Sequence, residues 1–87
     1  MKYDYENSYL RDAKKLPDFL REPLQNVILS VKEAQNLKDI PNLKKLSGYK
    51  NAYRIRVGEY RIGLYVEDEI VVFARILPRK EIYRFFP

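Results

Sequence analysis

Gly58 and Glu59 constrain the fold of this chain more than any other pair of residues. They separate "AYRIRV" from "YRIGLYV", two runs rich in β-branched and aromatic residues. Glycine at the first position of a two-residue loop is the signature of a type II′ hairpin turn. A turn this tight also fixes register: Val57 faces Tyr60, Arg56 faces Arg61, Ile55 faces Ile62 and Arg54 faces Gly63. A third run of the same kind lies beyond "EDE". The pattern therefore predicts an antiparallel meander of Ala52–Val57, Tyr60–Val66 and Ile70–Leu77. With Glu67–Glu69 as the second loop, Val66 faces Ile70, Leu64 faces Val72, Ile62 faces Ala74 and Arg61 faces Arg75.

Alternation along the strands sorts these residues onto two faces. One holds Tyr53, Ile55, Val57, Tyr60, Ile62, Leu64, Val66, Ile70, Val72, Ala74 and Ile76, and reads as a core. The other holds Ala52, Arg54, Arg56, Arg61, Gly63, Tyr65, Val71, Phe73, Arg75 and Leu77, with four arginines and no acid. A solvated sheet face normally mixes signs, because like charges on adjacent strands repel. Guanidinium groups match phosphate oxygens bidentately and keep their charge in any environment. Gly63 leaves a gap on this face, and Tyr65 and Phe73 offer surfaces on which bases could stack. An anion-binding surface is expected. No recognition helix for reading a duplex is evident.

The N-terminal half supplies the cover for the core face. "KYDYE" reads as a short strand. Asn7 or Ser8 then caps a helix with Leu10, Ala13 and Leu16 in phase. Leu20, Leu24, Val27, Ile28, Val31 and Ala34 form the stripe of a second helix, with Pro23 as its first helical residue after Glu22. Asp12, Lys14 and Lys32 read as solvated surface, and "NLKDIPNLKKLSGYKN" reads as loop. "RKEIYRFFP" makes two helical turns, which place Arg79 and Tyr83 on one side. The expected class is α+β: a three- to four-stranded antiparallel sheet packed on an N-terminal helical hairpin, with a short C-terminal helical segment. Residues 1–87 form a single domain.

Composition narrows the chemistry. The chain has no cysteine and no histidine, which excludes disulfides, thiol chemistry, the usual zinc ligand sets and imidazole acid–base catalysis. No metal and no cofactor are expected. The first ten residues carry neither a long apolar stretch nor a small-residue cleavage site, so no signal peptide is expected, and the expected location is the cytoplasm. No run approaches the length of a membrane span, and no membrane association is expected. Residues 1–40 hold seven basic and seven acidic side chains, whereas residues 41–87 hold ten and five. The whole excess of +5 thus sits in the second half. That asymmetry points to a polyanionic partner.

The string from "LKKLSGYKNAYRIRVGEYRIGLY" to "RKEIYRFFP" resembles the RelE/ParE superfamily of toxins from type II toxin–antitoxin systems. It is most similar to the RelE-type mRNA interferases. The resemblance spans essentially the whole chain and implies a RelE-like sheet backed by helices, with a basic active site on the open face. It implies an endoribonuclease that works in the A site of the 70S ribosome. The cut is made by attack of a ribose 2′-hydroxyl of the mRNA on the adjacent phosphate. By motif, Arg54 and Arg56 occupy second-strand positions that are often basic in the family. Arg61 occupies the third-strand arginine position, and Arg79 and Tyr83 the terminal arginine and tyrosine. These five are the candidate catalytic residues. Lys44, Lys45, Lys50, Tyr65, Arg75, Lys80 and Arg84 are candidates for contacts to RNA and ribosome. Pro78 stands where many relatives have histidine, and arginine replaces a second-strand lysine. The general base and acid are therefore open among Tyr83, Glu81 and Glu59. The alternatives are a ParE-like toxin that binds DNA gyrase and cuts nothing, and a toxin relic that binds antitoxin and regulates transcription. Each implies a cognate acidic antitoxin that folds across the basic face as a one-to-one heterodimer.

Overall fold

The computed structural model describes all 87 residues. Strand β1 (Lys2–Tyr5) leads into helix α1 (Asn7–Ala13), and a 3-10 turn at Asp18–Leu20 opens helix α2 (Arg21–Glu33). A second 3-10 turn, Leu37–Asp39, precedes β2 (Leu43–Lys45). The strands β3 (Ala52–Val57), β4 (Tyr60–Glu67) and β5 (Ile70–Pro78) follow, and helix α3 (Arg79–Phe85) ends the fold. No helix is long and apolar enough to cross a membrane.

The strands form one mixed sheet of five in the order β1-β5-β4-β3-β2, one or two strands more than expected. The meander β3–β4–β5 is present, and the Gly58-Glu59 hairpin has the expected register from Val57↔Tyr60 to Arg54↔Gly63. Gly58 sits at φ 59°, the conformation such a turn requires of its first residue. β1 joins the far edge in parallel with β5. β2 lies within the segment read as loop and pairs antiparallel with β3. Three residues are too few to show alternation. Its two exposed lysines suit an edge that must not pair further.

The β4–β5 junction differs from expectation, and the difference re-sorts a whole strand. Asp68 and Glu69 both have positive φ, 50° and 64°, so the loop has two residues and Glu67 pairs with Ile70. That shift puts Val71 and Phe73 opposite Val66 and Leu64, on the core face. A bulge then leaves Ala74 unpaired, so that Ile76, and not the expected Ala74, lies opposite Ile62 on the core face, and Arg75 lies opposite Gly63. Both Val71 and Phe73 are fully buried, while Ile70, assigned to the core by alternation, is exposed.

The main core joins Tyr9, Leu20, Val31, Ala34 and Ile40 to Ile55, Val57, Ile62, Leu64, Val71, Phe73 and Ile76. Each large side chain removed from water here stabilises the fold by about 1.5–3 kcal/mol. In α1 the buried residue is Tyr9, and Leu10 is exposed. Ser8 is not a cap, because its hydroxyl donates to the Ala74 carbonyl at 2.6 Å. Nor is Asp12 free surface. It accepts from Arg75 Nε at 2.7 Å, from Arg75 Nη2 at 3.2 Å and from the Ile76 N–H at 3.1 Å. Helix α1 thus continues where β1 stops, satisfying backbone groups along the β5 edge. Helix α2 begins at Arg21, so Pro23 lies in its first turn, where a missing N–H is harmless.

A smaller core occupies the other face. Ile82 and Phe86 pack against Ala52 and Ala74, and this contact holds α3 on the sheet.

Candidate functional site

Five side chains named from the sequence, Arg54, Arg56, Arg61, Arg79 and Tyr83, line one shallow cleft of about 290 Å³ together with Lys44 and Asn42. Three elements bring them together. β3 and β4 present Arg54, Arg56 and Arg61 on the face away from the main core. β5 runs into α3 without a loop, which delivers Arg79 at the first helical position and Tyr83 one turn later. The β3–β4 turn organizes the contacts. Its Glu59 carbonyl accepts from the Arg79 N–H at 2.9 Å. Its Gly58 carbonyl accepts from Arg61 Nη1 at 2.7 Å.

These contacts explain how Arg56 and Arg61 tolerate facing each other across the hairpin. Arg61 Nη1 also donates to the Tyr60 carbonyl at 2.9 Å, so its guanidinium is held against the turn. Arg54 donates from Nη1 to the Tyr83 hydroxyl at 2.8 Å, and its guanidinium carbon lies 5.3 Å from the centre of that ring. Arg56 is exposed and pairs with no carboxylate. The ion pairs of the molecule, Arg21–Asp18 and Arg75–Asp12, leave the cleft cations without acidic partners. Its positive field is therefore available to a ligand.

Tyr83 is 60% exposed. What burial it has pushes the phenol up, but the Arg54 charge, with donors from Arg79 and Arg54, outweighs this and holds it below the ordinary tyrosine value. Glu81, another candidate base, lies in a separate groove with Asp12, Lys15 and Arg75. Glu59 contributes its backbone carbonyl to the turn, and its side chain does not line the cleft. Among the three candidates, only Tyr83 presents its titratable group there.

Other expected contacts fall elsewhere. Arg75 does not extend a row with Arg56 and Arg61: Leu77 takes the position opposite Arg61, and Asp12 claims the Arg75 guanidinium. Phe73 is no stacking platform, because it is buried among Tyr3, Tyr5 and Tyr9. Tyr65 packs on Phe86 at 5.1 Å between ring centres. Burial, then the charges of Glu6 and Glu67, push its phenol up, marking a neighbourhood unlike the basic cleft. The gap expected over Gly63 is filled, since a Cβ there would meet the Phe86 ring at 2.5 Å. Lys45, Lys50, Lys80 and Arg84 are exposed outside the cleft lining. Lys44 enters the cleft because β2 pairs it with Arg54, so an amine stands beside the arginines after all, supplied by the neighbouring strand. Asn42 escaped the sequence reading. The signal for it was the Pro41-Asn42 turn dipeptide just before β2.

Fold and cleft together define a small α+β domain with a cleft lined by five cations and no carboxylate. The family described as ParE toxin of type II toxin-antitoxin system, parDE, matches residues 3–83. The chain is 39% identical to Toxin RelE3 of Methanocaldococcus jannaschii over 88 residues, covering all of both chains. Its fold matches the RelB-RelE antitoxin-toxin complex from Methanococcus jannaschii with a TM-score of 0.79 at 38% identity, over 95% of this chain and 98% of that one. It also matches the intact E. coli RelBE toxin-antitoxin complex with a TM-score of 0.68 at 26% identity, over 86% and 92% of the two chains. The chain belongs to the RelE/ParE superfamily of type II toxin–antitoxin toxins.

Proposed function

We propose that this toxin is an endoribonuclease that cleaves mRNA in the ribosomal A site and is held in check by a cognate acidic antitoxin. The observation that carries the reading is the convergence of Arg54, Arg56, Arg61, Arg79 and Tyr83 on one cleft free of carboxylates. In the reaction the ribose 2′-oxygen bonds to the adjacent phosphorus and the bond to the 5′-oxygen breaks, leaving a 2′,3′-cyclic phosphate and a 5′-hydroxyl. Negative charge grows on the nonbridging oxygens, where Arg56 and the unused donors of Arg61 stabilise it. Ionised Tyr83 takes the 2′-hydroxyl proton, and water protonates the leaving oxygen. A cleft lined by five cations repels a divalent metal, and the mechanism uses none. The ribosome aligns the message, an ordering contribution that can itself be worth several orders of magnitude. The antitoxin reading is supported by the solved relatives, which are complexes with RelB, and by the unpaired charge of this cleft.

The test is to incubate the protein with translating ribosomes and map message ends. Codon-phased cuts that disappear with Arg61→Ala are expected. Intact message together with altered plasmid supercoiling would overturn the proposal in favour of a gyrase-binding toxin. Co-purification with the acidic protein encoded beside it tests the partner.

A further inference from the structure

We infer that Asn42 reads a nucleobase in the cleft and that adenine is the base it fits, an inference that rests on the endoribonuclease reading above. Seven side chains line the cleft, and five of them are the cations Lys44, Arg54, Arg56, Arg61 and Arg79. Cations bind the phosphate backbone of any sequence and supply little discrimination. Tyr83 offers a ring face, which every base can stack upon, and its oxygen already accepts from Arg54. That leaves the Asn42 carboxamide as the one lining side chain that offers a donor and an acceptor side by side in one plane, on two different atoms.

The backbone fixes where this amide emerges. Asn42 has φ 63°, a left-handed conformation that asparagine adopts more readily than most residues with a side chain. Its carbonyl accepts from the Arg56 N–H at 3.4 Å, tying its main chain to the strand that carries Arg54 and Arg56. Its side chain is exposed and makes no hydrogen bond within the protein. Unusual backbone conformations held by their surroundings concentrate at ligand sites. An amide is a poor ligand for phosphate beside five cations. Its coplanar donor and acceptor instead match the acceptor N7 and donor N6 of adenine, and in single-stranded RNA those edges are open to side chains.

Glycine also adopts positive φ, so Asn42→Gly removes the amide and keeps the turn. In ribosome-dependent cleavage the wild-type protein is expected to favour adenine at one fixed position relative to the cut. Asn42→Gly is expected to lower that preference on the order of tenfold, through slower cutting at adenine-containing codons. An unchanged preference in Asn42→Gly, or wild-type cleavage indifferent to adenine, overturns the inference. A second measurement does not depend on cutting. A non-cleavable 2′-O-methyl trinucleotide is titrated into 15N-labelled protein, and the Asn42 side-chain amide is followed by NMR. Its resonances should shift with an adenine-containing strand and not with a uridine strand, and equal response to both overturns the inference. A selective shift without cleavage on ribosomes would count against the endoribonuclease reading and leave base recognition standing.

Discussion

At the scale of single residues, two tyrosines show how one functional group is put to opposite uses. Tyr9 is 2% exposed and lies 5.4 Å from the rings of Tyr5 and Phe73, with its hydroxyl buried and unpartnered. A buried hydroxyl without a partner costs about 1–3 kcal/mol, so Tyr9→Phe should raise stability by about 1 kcal/mol in urea unfolding at pH 7. Burial, then the nearby Tyr5, pushes the Tyr9 phenol well above its ordinary value of 10.0. The folded state therefore favours the neutral form. Its stabilising effect is complete below pH 10 and is lost above it, as the unfolded chain ionises first. Tyr9→Phe should accordingly lose less stability than wild type on raising the pH beyond 10, and a destabilised variant would mean that the hydroxyl has a partner in solution. Tyr83 is shifted the other way, with Arg54 and Arg79 overcoming its slight burial. If its phenolate takes the 2′-hydroxyl proton, the single-turnover cleavage rate should climb with pH and level off below 10. Tyr83→Phe should abolish that limb and lower the rate by roughly 10²–10⁴-fold. A variant that keeps the same pH profile would exclude Tyr83 as the base.

At the scale of elements, the cleft depends on how α3 is held, and two contacts outside the cleft hold it. Phe86 fills the space over Gly63, and Gly63→Ala would bring a Cβ within 2.5 Å of that ring. The ring cannot sink further, because Ala52 and Ala74 lie beneath the same segment. Gly63→Ala should cost about 1–3 kcal/mol as an overpacked contact. If the protein cleaves RNA as proposed, the substitution should also weaken cleavage by more than this loss of stability explains, since Arg79 and Tyr83 ride on the displaced helix. The second contact is Asp12, which grips Arg75 and the Ile76 N–H three residues before Arg79. The Arg75 guanidinium in turn lies 5.6 Å from the centre of the Phe85 ring on α3. Asp12→Ala should destabilise by about 1–2 kcal/mol, because water can partly resolvate the exposed side of Arg75. Thermal melts of both variants check these values. These same two contacts mark the limit of what could be read from the sequence. The Gly58-Glu59 turn pins its register locally, so the β3–β4 hairpin and its arginines were legible. The Asp68-Glu69 turn puts two non-glycine residues at positive φ, and nothing in local composition announces it. At the bulge, Ser8 of α1 donates to the Ala74 carbonyl and Ile82 and Phe86 pack on the Ala74 side chain, tertiary contacts beyond the reach of alternation. Arg75 and Phe73 were therefore misplaced, while Arg54, Arg56 and Arg61 were not.

At the scale of the whole molecule, charge and scaffold divide along the chain. The N-terminal half is electrically balanced and supplies helices, the outer strand and the Asp12 anchor, whereas the second half carries the surplus of positive charge. That surplus is not uniform in effect. Arg75 is already neutralised by Asp12 on a side chain 27% exposed, while Arg56 is exposed with no acidic partner. Binding of single-stranded RNA releases counterions, and the slope of log K against log salt is about −0.7 for each phosphate neutralised. Arg56→Ala should therefore make the slope shallower by about 0.7 and weaken binding at every sequence alike. Arg75→Ala should leave the slope unchanged, although both variants remove one formal charge. Fluorescence anisotropy with a non-cleavable oligonucleotide across a salt series separates the two cases. Equal flattening by both would mean that RNA senses only net charge. A change confined to Arg56→Ala would mean that the fold, by pairing one arginine and leaving another open, decides where a phosphate can bind.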